Sequence, residues 1–163
     1  MRYLVDAYNL LFRTLKKRGS LEKSRQLMIA ELNEVASRLK LQITLVFDGA
    51  DEHQPLASRG HFDSIELMYT PREKTADECI LEEVSNSKNP SGLTVVSNDR
   101  ELTGRCKQRG AHKMTIDTFI TLVTKKQSQK RSSPTRRFRE STAEFERLLK
   151  IFESRMQDRE DAL

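Results

Sequence analysis

The sequence predicts an α/β layer fold with a mainly parallel sheet, followed by an amphipathic helix at its C-terminal end. Three observations lead to this prediction. Short apolar runs alternate with longer segments of helical periodicity, most of these runs are followed by an acidic residue, and the excess positive charge lies in one stretch near the end. We therefore expect a folded body over residues 1–124, a basic linker over 125–139 and a helix within 140–163.

The first half of the body predicts three strands and two helices. Residues 1–5 form a short apolar run, and two helices are expected after it, the second over residues 21–39, where apolar side chains recur at helical spacing. Residues 43–47 are a β-branched and aromatic run too short for a core helix, which predicts the second strand. Residues 62–70 alternate up to a proline and predict the third.

The second half repeats the alternation of helix and strand. Residues 75–86 have helical spacing and end at a turn sequence, and residues 93–96 predict the fourth strand. A helix over residues 100–109, a strand near 113–116 and a helix from Asp117 complete the order. Strands separated by helices predict parallel pairing through crossover connections.

Charge separates the body from the extension. Residues 1–124 carry 18 basic and 17 acidic side chains, whereas residues 125–139 carry seven basic side chains and no acidic one, among serine, glutamine and proline. This composition predicts a linker. In residues 140–163, Ser141 and Glu144 form a capping-box pattern before an apolar stripe, which predicts an amphipathic helix.

Several classes of protein are disfavoured. The sequence has no apolar run of about 18 residues and does not open like a signal peptide, so we expect a cytoplasmic protein with no membrane partner. The two cysteines, Cys79 and Cys106, lack the spacing of metal ligands and predict simple thiols. A monomer and a homodimer both remain open.

Four aspartates are expected at one edge of the sheet. Asp6, Asp48 and Asp99 follow the first, second and fourth strands, and Asp77 opens the helix after the third. The carboxyl ends of parallel strands share an edge, where α/β folds bind ligands. Two carboxylates about 5 Å apart repel by roughly 3 kcal/mol at an effective dielectric of 20, so a cation is expected among them. Oxygen ligands favour Mg²⁺ or Mn²⁺.

Each acid except Asp77 also has a purely structural interpretation, and that of Asp48, which precedes Gly49, is a turn residue. Asp6 and Asp99 precede helices and are common N-cap residues. Thr75 and Glu78 form a capping box that satisfies free backbone amides. That motif leaves Asp77 without a capping role, and four acids at corresponding positions favour a shared metal site.

Polar and basic residues around the acids are candidates for a nucleic-acid site. Asn9, one helical turn after Asp6, is expected to hydrogen-bond an aspartate or a metal-bound water. Because the chain has seven phenylalanines, three tyrosines and no tryptophan, base stacking is expected to contribute little. The candidate contacts to the nucleic-acid backbone are Arg13, Lys16, Lys17, Arg72, Lys74, Arg100, Lys125, Lys126, Lys130, Arg131, Arg136, Arg137 and Arg139.

Four segments together resemble the YacP-like branch of the NYN domain nucleases, within the PIN-like fold group. They are Leu4-Val5-Asp6-Ala7-Tyr8-Asn9, Val46-Phe47-Asp48-Gly49, Arg72-Glu73-Lys74-Thr75-Ala76-Asp77-Glu78 and Ser97-Asn98-Asp99. The resemblance covers about residues 1–124 and leaves residues 125–163 outside the family domain. It implies a Rossmann-like three-layer α/β/α sandwich that cleaves RNA with a metal, and an acidic pocket to which Asp6, Asp48, Asp77 and Asp99 correspond, accompanied by Asn9. The family's usual Ser-Asp reads Ser97-Asn98-Asp99 here.

Two functional hypotheses follow. The first is a metal-dependent endoribonuclease acting on messenger RNA or ribosome-associated RNA. The alternative is a non-catalytic module that binds RNA or a ribonucleoprotein, with a vestigial acidic pocket and a basic tail. Other phosphate chemistries are disfavoured because the sequence has neither a P-loop nor a dinucleotide-binding glycine motif.

Overall fold

The computed structural model describes residues 1–14, 20–49 and 58–129. In chain order the elements are β1 (Arg2–Asp6), α1 (Ala7–Thr14), α2 (Leu21–Leu39), β2 (Gln42–Phe47), β3 (Ser58–Phe62), β4 (Ile65–Tyr69), α3 (Ala76–Asn86), β5 (Leu93–Val96), α4 (Arg100–Gln108), β6 (His112–Met114) and α5 (Ile116–Gln129).

The strands form one sheet in the order β3-β4-β2-β1-β5-β6, in which β3 is antiparallel to β4 and the other pairs are parallel. From β1 the chain first builds outward through β2 and β4, then returns to the other side of β1 for β5 and β6. The strand order therefore reverses between β1 and β5, which is where open α/β sheets bind their ligands. The predicted mainly parallel sheet is confirmed.

Successive side chains of the central strands feed two cores. Tyr3 and Val5 of β1 pack with α1, α2 and α5 on one face, whereas Leu4 packs with α3 and α4 on the other. Because side chains alternate along a strand, a strand buried on both faces is mainly apolar, as the middle of β1 and most of β5 are. The result is the three-layer α/β/α sandwich that the family resemblance implies.

The predicted third strand, residues 62–70, is wrong in one respect. The structure has a hairpin, with β3 paired to β4 and Phe62 opposite Ile65. Its two-residue turn places Asp63 at a φ of 52°, and the Ser64 amide donates to the side chain of Asn33. The turn contains no glycine and β3 is largely polar, so no sequence pattern there indicates a strand or a hairpin.

The predicted linker also begins too early. Helix α5 continues to Gln129, so residues 125–129 are helical. Lysine and glutamine are good helix formers, and the chain has no glycine or proline here that would end the helix. Residues 130–163, with the rest of the predicted linker and the predicted terminal helix, lie outside the described residues. Among the described helices, none has the length and apolar character needed to cross a bilayer.

Candidate active site

Asp6 lies at the switch point of the sheet. It ends β1, immediately before α1, and has 9% of its surface exposed. Its Oδ1 accepts a hydrogen bond from the Asn9 amide at 3.2 Å, and its Oδ2 accepts one from the Ser97 hydroxyl at 3.3 Å. Since Ser97 directly follows β5, this carboxylate joins the two strands between which the strand order reverses.

Asp6, Asp48 and Asp77 line one open pocket of about 560 Å³. Asp48 follows β2, and its Oδ1 accepts a hydrogen bond of 3.4 Å from the buried Thr70 hydroxyl, which itself accepts from the Gly49 amide. Asp77 lies in the first turn of α3. Three segments that are distant in sequence thus bring carboxylates to one pocket.

The capping box at α3 is present as predicted. The Thr75 hydroxyl accepts from the Glu78 amide, and the Glu78 carboxylate accepts from the Thr75 amide. These two residues satisfy the backbone at the start of the helix, which leaves the carboxylate of Asp77 available to the pocket.

The pocket disfavours negative charge. Burial raises the pKa of Asp6, against the lowering effect of the Asn9 amide, and the charges of Asp77 and Asp48 raise it further. Burial also raises the pKa of Asp77, as do the nearby carboxylates of Asp99 and Asp48. Within the described ranges, none of these four aspartates forms an ion pair with lysine or arginine. The mutual repulsion of these carboxylates is therefore not neutralised by an ion pair within the described residues.

Asp99 has a structural role at the start of a helix, as Asp6 does through the Asn9 amide. It is the N-cap of α4, where its Oδ1 accepts from the amides of Glu101 at 2.8 Å and Leu102 at 3.0 Å. Its own amide donates to the Ser97 hydroxyl at 3.1 Å. Asp99 does not line the pocket of the other three aspartates. Its charge nevertheless acts on Asp77, so it belongs to the same electrostatic cluster.

Loss of this cap gives a first prediction. Asp99→Ala should lower the free energy of unfolding by about 1 kcal/mol, because two backbone amides lose their acceptor. Asp99→Asn should cost less, since asparagine caps helices about as well. Urea unfolding of both variants measures the difference. Equal unfolding midpoints for the two variants would contradict the capping role.

Two asparagines connect the loops around Asp6. The Asn9 side-chain oxygen accepts from the Asn98 amide at 3.1 Å, and the Asn98 side-chain oxygen accepts from the Ile116 amide at 3.0 Å, at the start of α5. Asn9 is thus a positioning residue whose side-chain oxygen bonds to backbone. Sequence reasoning missed the roles of Ser97, Asn98 and Thr70. The position of polar residues directly after β5 and β4 in the sequence could have indicated these roles.

The predicted nucleic-acid contacts divide into three groups. Arg13 is ion-paired with Asp117 at 2.8 Å, and Lys74 with Glu82 at 2.5 Å. Arg72 and Arg100 are exposed, and Lys125 is half-buried on α5. The structure does not describe the side chains of Lys16, Lys17, Lys126, Lys130, Arg131, Arg136, Arg137 and Arg139.

The donor chemistry of the pocket fits a hard divalent cation. Its carboxylates offer oxygen ligands alone, the type that Mg²⁺ and Mn²⁺ bind. Within the described parts of the chain, however, no three carboxylate, histidine or cysteine side chains are grouped closely enough to hold one ion. The aspartates surround a pocket without closing a coordination shell.

Comparisons with known proteins identify the family of this chain. A family model described as the YacP-like NYN domain matches residues 3–160. The chain belongs to the YacP-like NYN domain family. NYN domains are typically nucleases, so family membership indicates a hydrolase of the RNA-cleaving type. The match also includes most of residues 125–163, which the motif-based resemblance placed outside the family domain.

Solved structures support the same NYN fold. The chain is similar to the crystal structure of Rae1 (YacP) from Bacillus subtilis, with a TM-score of 0.58, 21% identity, and coverage of 80% of this chain and 79% of that one. A variant of that protein with a tryptophan replaced by leucine gives a TM-score of 0.59 at 20% identity, over 96% of this chain and 92% of that one. No curated protein sequence matches this NYN domain significantly.

Proposed function

We propose that this protein is a divalent-metal-dependent endoribonuclease that hydrolyses RNA phosphodiester bonds at the acidic pocket. The observation that carries the proposal is the set of aspartates at the switch point, Asp6, Asp48 and Asp77, which line one pocket and form no ion pair with lysine or arginine in the described residues. Burial and mutual repulsion raise the pKa of Asp6 and Asp77 there, and such perturbed carboxylates in a cleft are typical of functional sites.

Asp6, Asp48 and Asp77 would hold Mg²⁺ or Mn²⁺, with Asp99 contributing charge beside Asp77. When bound, the ion supplies Lewis-acid stabilisation of the negative charge that develops on the phosphate. The protein's part is to keep the carboxylates oriented. The Asn9 amide and the Ser97 hydroxyl each donate a hydrogen bond to Asp6. Its carboxylate is therefore held in one orientation and needs little rearrangement when an ion or a phosphate approaches.

One observation favours a second function. The aspartates of the described residues do not close around a single ion, as they would in a preformed metal site. This arrangement is also what a vestigial pocket would have, in a protein that binds RNA without cutting it. The two functions differ in whether the pocket carboxylates matter for RNA cleavage.

Incubation of the purified protein with RNA and Mn²⁺ separates the two functions. We expect cleavage by the wild type that EDTA abolishes, and Asp77→Asn should reduce the rate to that of the EDTA control. Asp63→Asn is the matched control, because Asp63 is an exposed aspartate in the β3–β4 turn, at the opposite edge of the sheet, and asparagine tolerates its positive φ. Equal rates in the wild type and Asp77→Asn would refute the nuclease proposal.

A further inference from the structure

Two aromatic rings form one wall of the acidic pocket. Tyr8 and Phe12, one turn apart on α1, are stacked with ring centroids 5.9 Å apart and 25° between the ring planes. Both line the pocket that contains Asp6, Asp48 and Asp77, together with Leu21 at the start of α2. We refer to Tyr8, Phe12 and Leu21 as the aromatic wall.

The outer part of this wall is exposed although it is apolar. Phe12 is 65% exposed and Leu21 is 47% exposed, which makes them two of the four exposed large hydrophobic side chains in the described residues. Their position beside the carboxylates, rather than elsewhere on the surface, calls for an explanation. Exposed apolar surface next to converging polar groups is typical of a ligand site.

The inner part of the wall is held by the core. Tyr8 contacts Phe47 edge-to-face at 5.7 Å, and Phe47 stacks on Tyr69 at 5.2 Å with 16° between the planes. Phe47 is fully buried. The buried ring of Phe47 therefore holds Tyr8 in place, and Tyr8 stacks in turn with Phe12. The ring of Phe12 is thus held in position before a ligand binds.

We propose that the aromatic wall is a subsite for an unpaired nucleobase of the RNA, with Phe12 as its stacking surface. This inference rests on the proposed function and names the substrate class of the same site, which is single-stranded RNA. A base stacked on Phe12 lies on the same pocket as the aspartates, so its phosphate backbone can reach them. The pocket volume of about 560 Å³ is within the range of about 300–1,000 Å³ typical of small-ligand sites.

The chemistry selects for single strands. Every base has a π-face, so stacking on phenylalanine tolerates any sequence, but a base within a duplex has both faces covered by its neighbours. The scarcity of aromatic residues in the chain led us to expect little stacking. In the structure, however, two aromatic residues, Tyr8 and Phe12, lie at the acidic pocket. The small number of aromatic residues in the chain therefore does not argue against stacking at this site.

Tryptophan at position 12 provides a direct probe, because the chain has no tryptophan of its own. Phe12→Trp keeps a π-face, so the full-length variant should still bind a short single-stranded oligoribonucleotide in EDTA, and it reports on stacking at position 12. Its fluorescence should be quenched by that oligonucleotide. An abasic oligonucleotide of the same length and a blunt duplex should not quench it.

Phe12→Ala removes the stacking surface. Its affinity for the single strand should fall about 5- to 150-fold, the range that stacking gives per base. Phe62→Ala is the matched control, since Phe62 is an exposed phenylalanine, 46% exposed, at the end of β3 away from the pocket. Its affinity should not change.

Three results would overturn the proposal: unchanged affinity in Phe12→Ala, equal quenching of Phe12→Trp by abasic and normal oligonucleotides, or Phe12→Trp emission that is shielded from a soluble quencher in the free protein. The last would mean that another part of the chain covers the wall. Failure of the nuclease proposal is separate, because it appears as cleavage that does not depend on Asp77, whereas all these measurements are made without metal.

Discussion

Replacing Asp77 with asparagine is expected to raise the melting temperature of the metal-free protein and to remove most of the rise that Mn²⁺ gives the wild type. The same carboxylates cause both effects. Without metal, the charge of Asp77 is repelled by Asp48 and Asp99 and is partly buried, as its raised pKa indicates. With metal, that charge becomes a source of affinity.

The two effects should differ in size. Relief of repulsion should exceed the modest loss of the helix N-terminal charge interaction, but Asp77 is only partly buried, so solvent screening limits the net gain to about 0.5 kcal/mol, or a rise in melting temperature of about 1–2 °C. Mn²⁺ at about 100 times its Kd stabilises the wild type by about 2.7 kcal/mol, and a 100-fold loss of affinity would reduce this to about 0.4 kcal/mol. Thermal unfolding in EDTA and in Mn²⁺ measures both.

The advantage of the variant should depend on pH. Because the folded protein raises the pKa of Asp77 above its ordinary value of 3.8, the folded state binds this proton more readily than the unfolded chain does. Ionisation of Asp77 therefore costs stability as the pH rises through the folded-state pKa. In EDTA, Asp77→Asn should match the wild type below the ordinary pKa and exceed it increasingly towards neutral pH.

Asp63→Asn serves again as the control, with no gain in EDTA and an undiminished response to Mn²⁺. If Asp77→Asn instead destabilised the metal-free protein and kept the full response to Mn²⁺, Asp77 would be a structural residue of α3. The pocket would then lack one of its three proposed ligands.

Neutralising the basic extension is expected to produce the second large effect, on RNA affinity. The basic extension is residues 125–139, and five of its seven cations follow α5 in the sequence. These five would be changed to glutamine in the full-length protein: Lys130, Arg131, Arg136, Arg137 and Arg139. Each phosphate contact to a single strand contributes about 0.7 to the slope of log affinity against log salt, so the slope should fall by about 3.5. The wild type would then lose about 100-fold more affinity than the variant between 50 and 200 mM salt.

The matched control changes five exposed cations of the body to glutamine: Lys40, Lys88, Lys107, Arg109 and Lys113. This variant has the same net charge as the first, so any difference between them reflects where the cations lie. Fluorescence anisotropy in EDTA over a salt series measures the slopes. Equal slopes in the two variants would refute a specific role of the extension, whereas RNA cleavage by the first variant at low salt should persist.

The fold was predictable where burial decides the sequence pattern. β1, β2 and β5 are mainly apolar because both their faces are covered, and the helices between them each pack an apolar face on the sheet. β3 was not predictable in the same way. It is an edge strand that contains Arg59, Gly60 and His61, and it is held by backbone pairing to β4 rather than by apolar burial.

The candidate site was predictable to the level of topology. The rule that strand ends share an edge predicted that Asp6, Asp48 and Asp77 lie near one another, and in the structure all three line one pocket. That rule does not predict which carboxylates accept hydrogen bonds from the backbone amides at the start of a helix. In the structure, Oδ1 of Asp99 accepts those of α4. Nor could it identify Ser97, because the bond from its hydroxyl to Asp6 depends on the adjacency of β1 and β5.

Anomalous diffraction from a crystal soaked in Mn²⁺ is the most direct test of the claim that these aspartates form one metal site. The account predicts an anomalous peak in the pocket, in contact with carboxylate oxygens of Asp6, Asp48 and Asp77. A pocket with no such peak at saturating Mn²⁺, in a crystal whose other surface sites bind the ion, would contradict it.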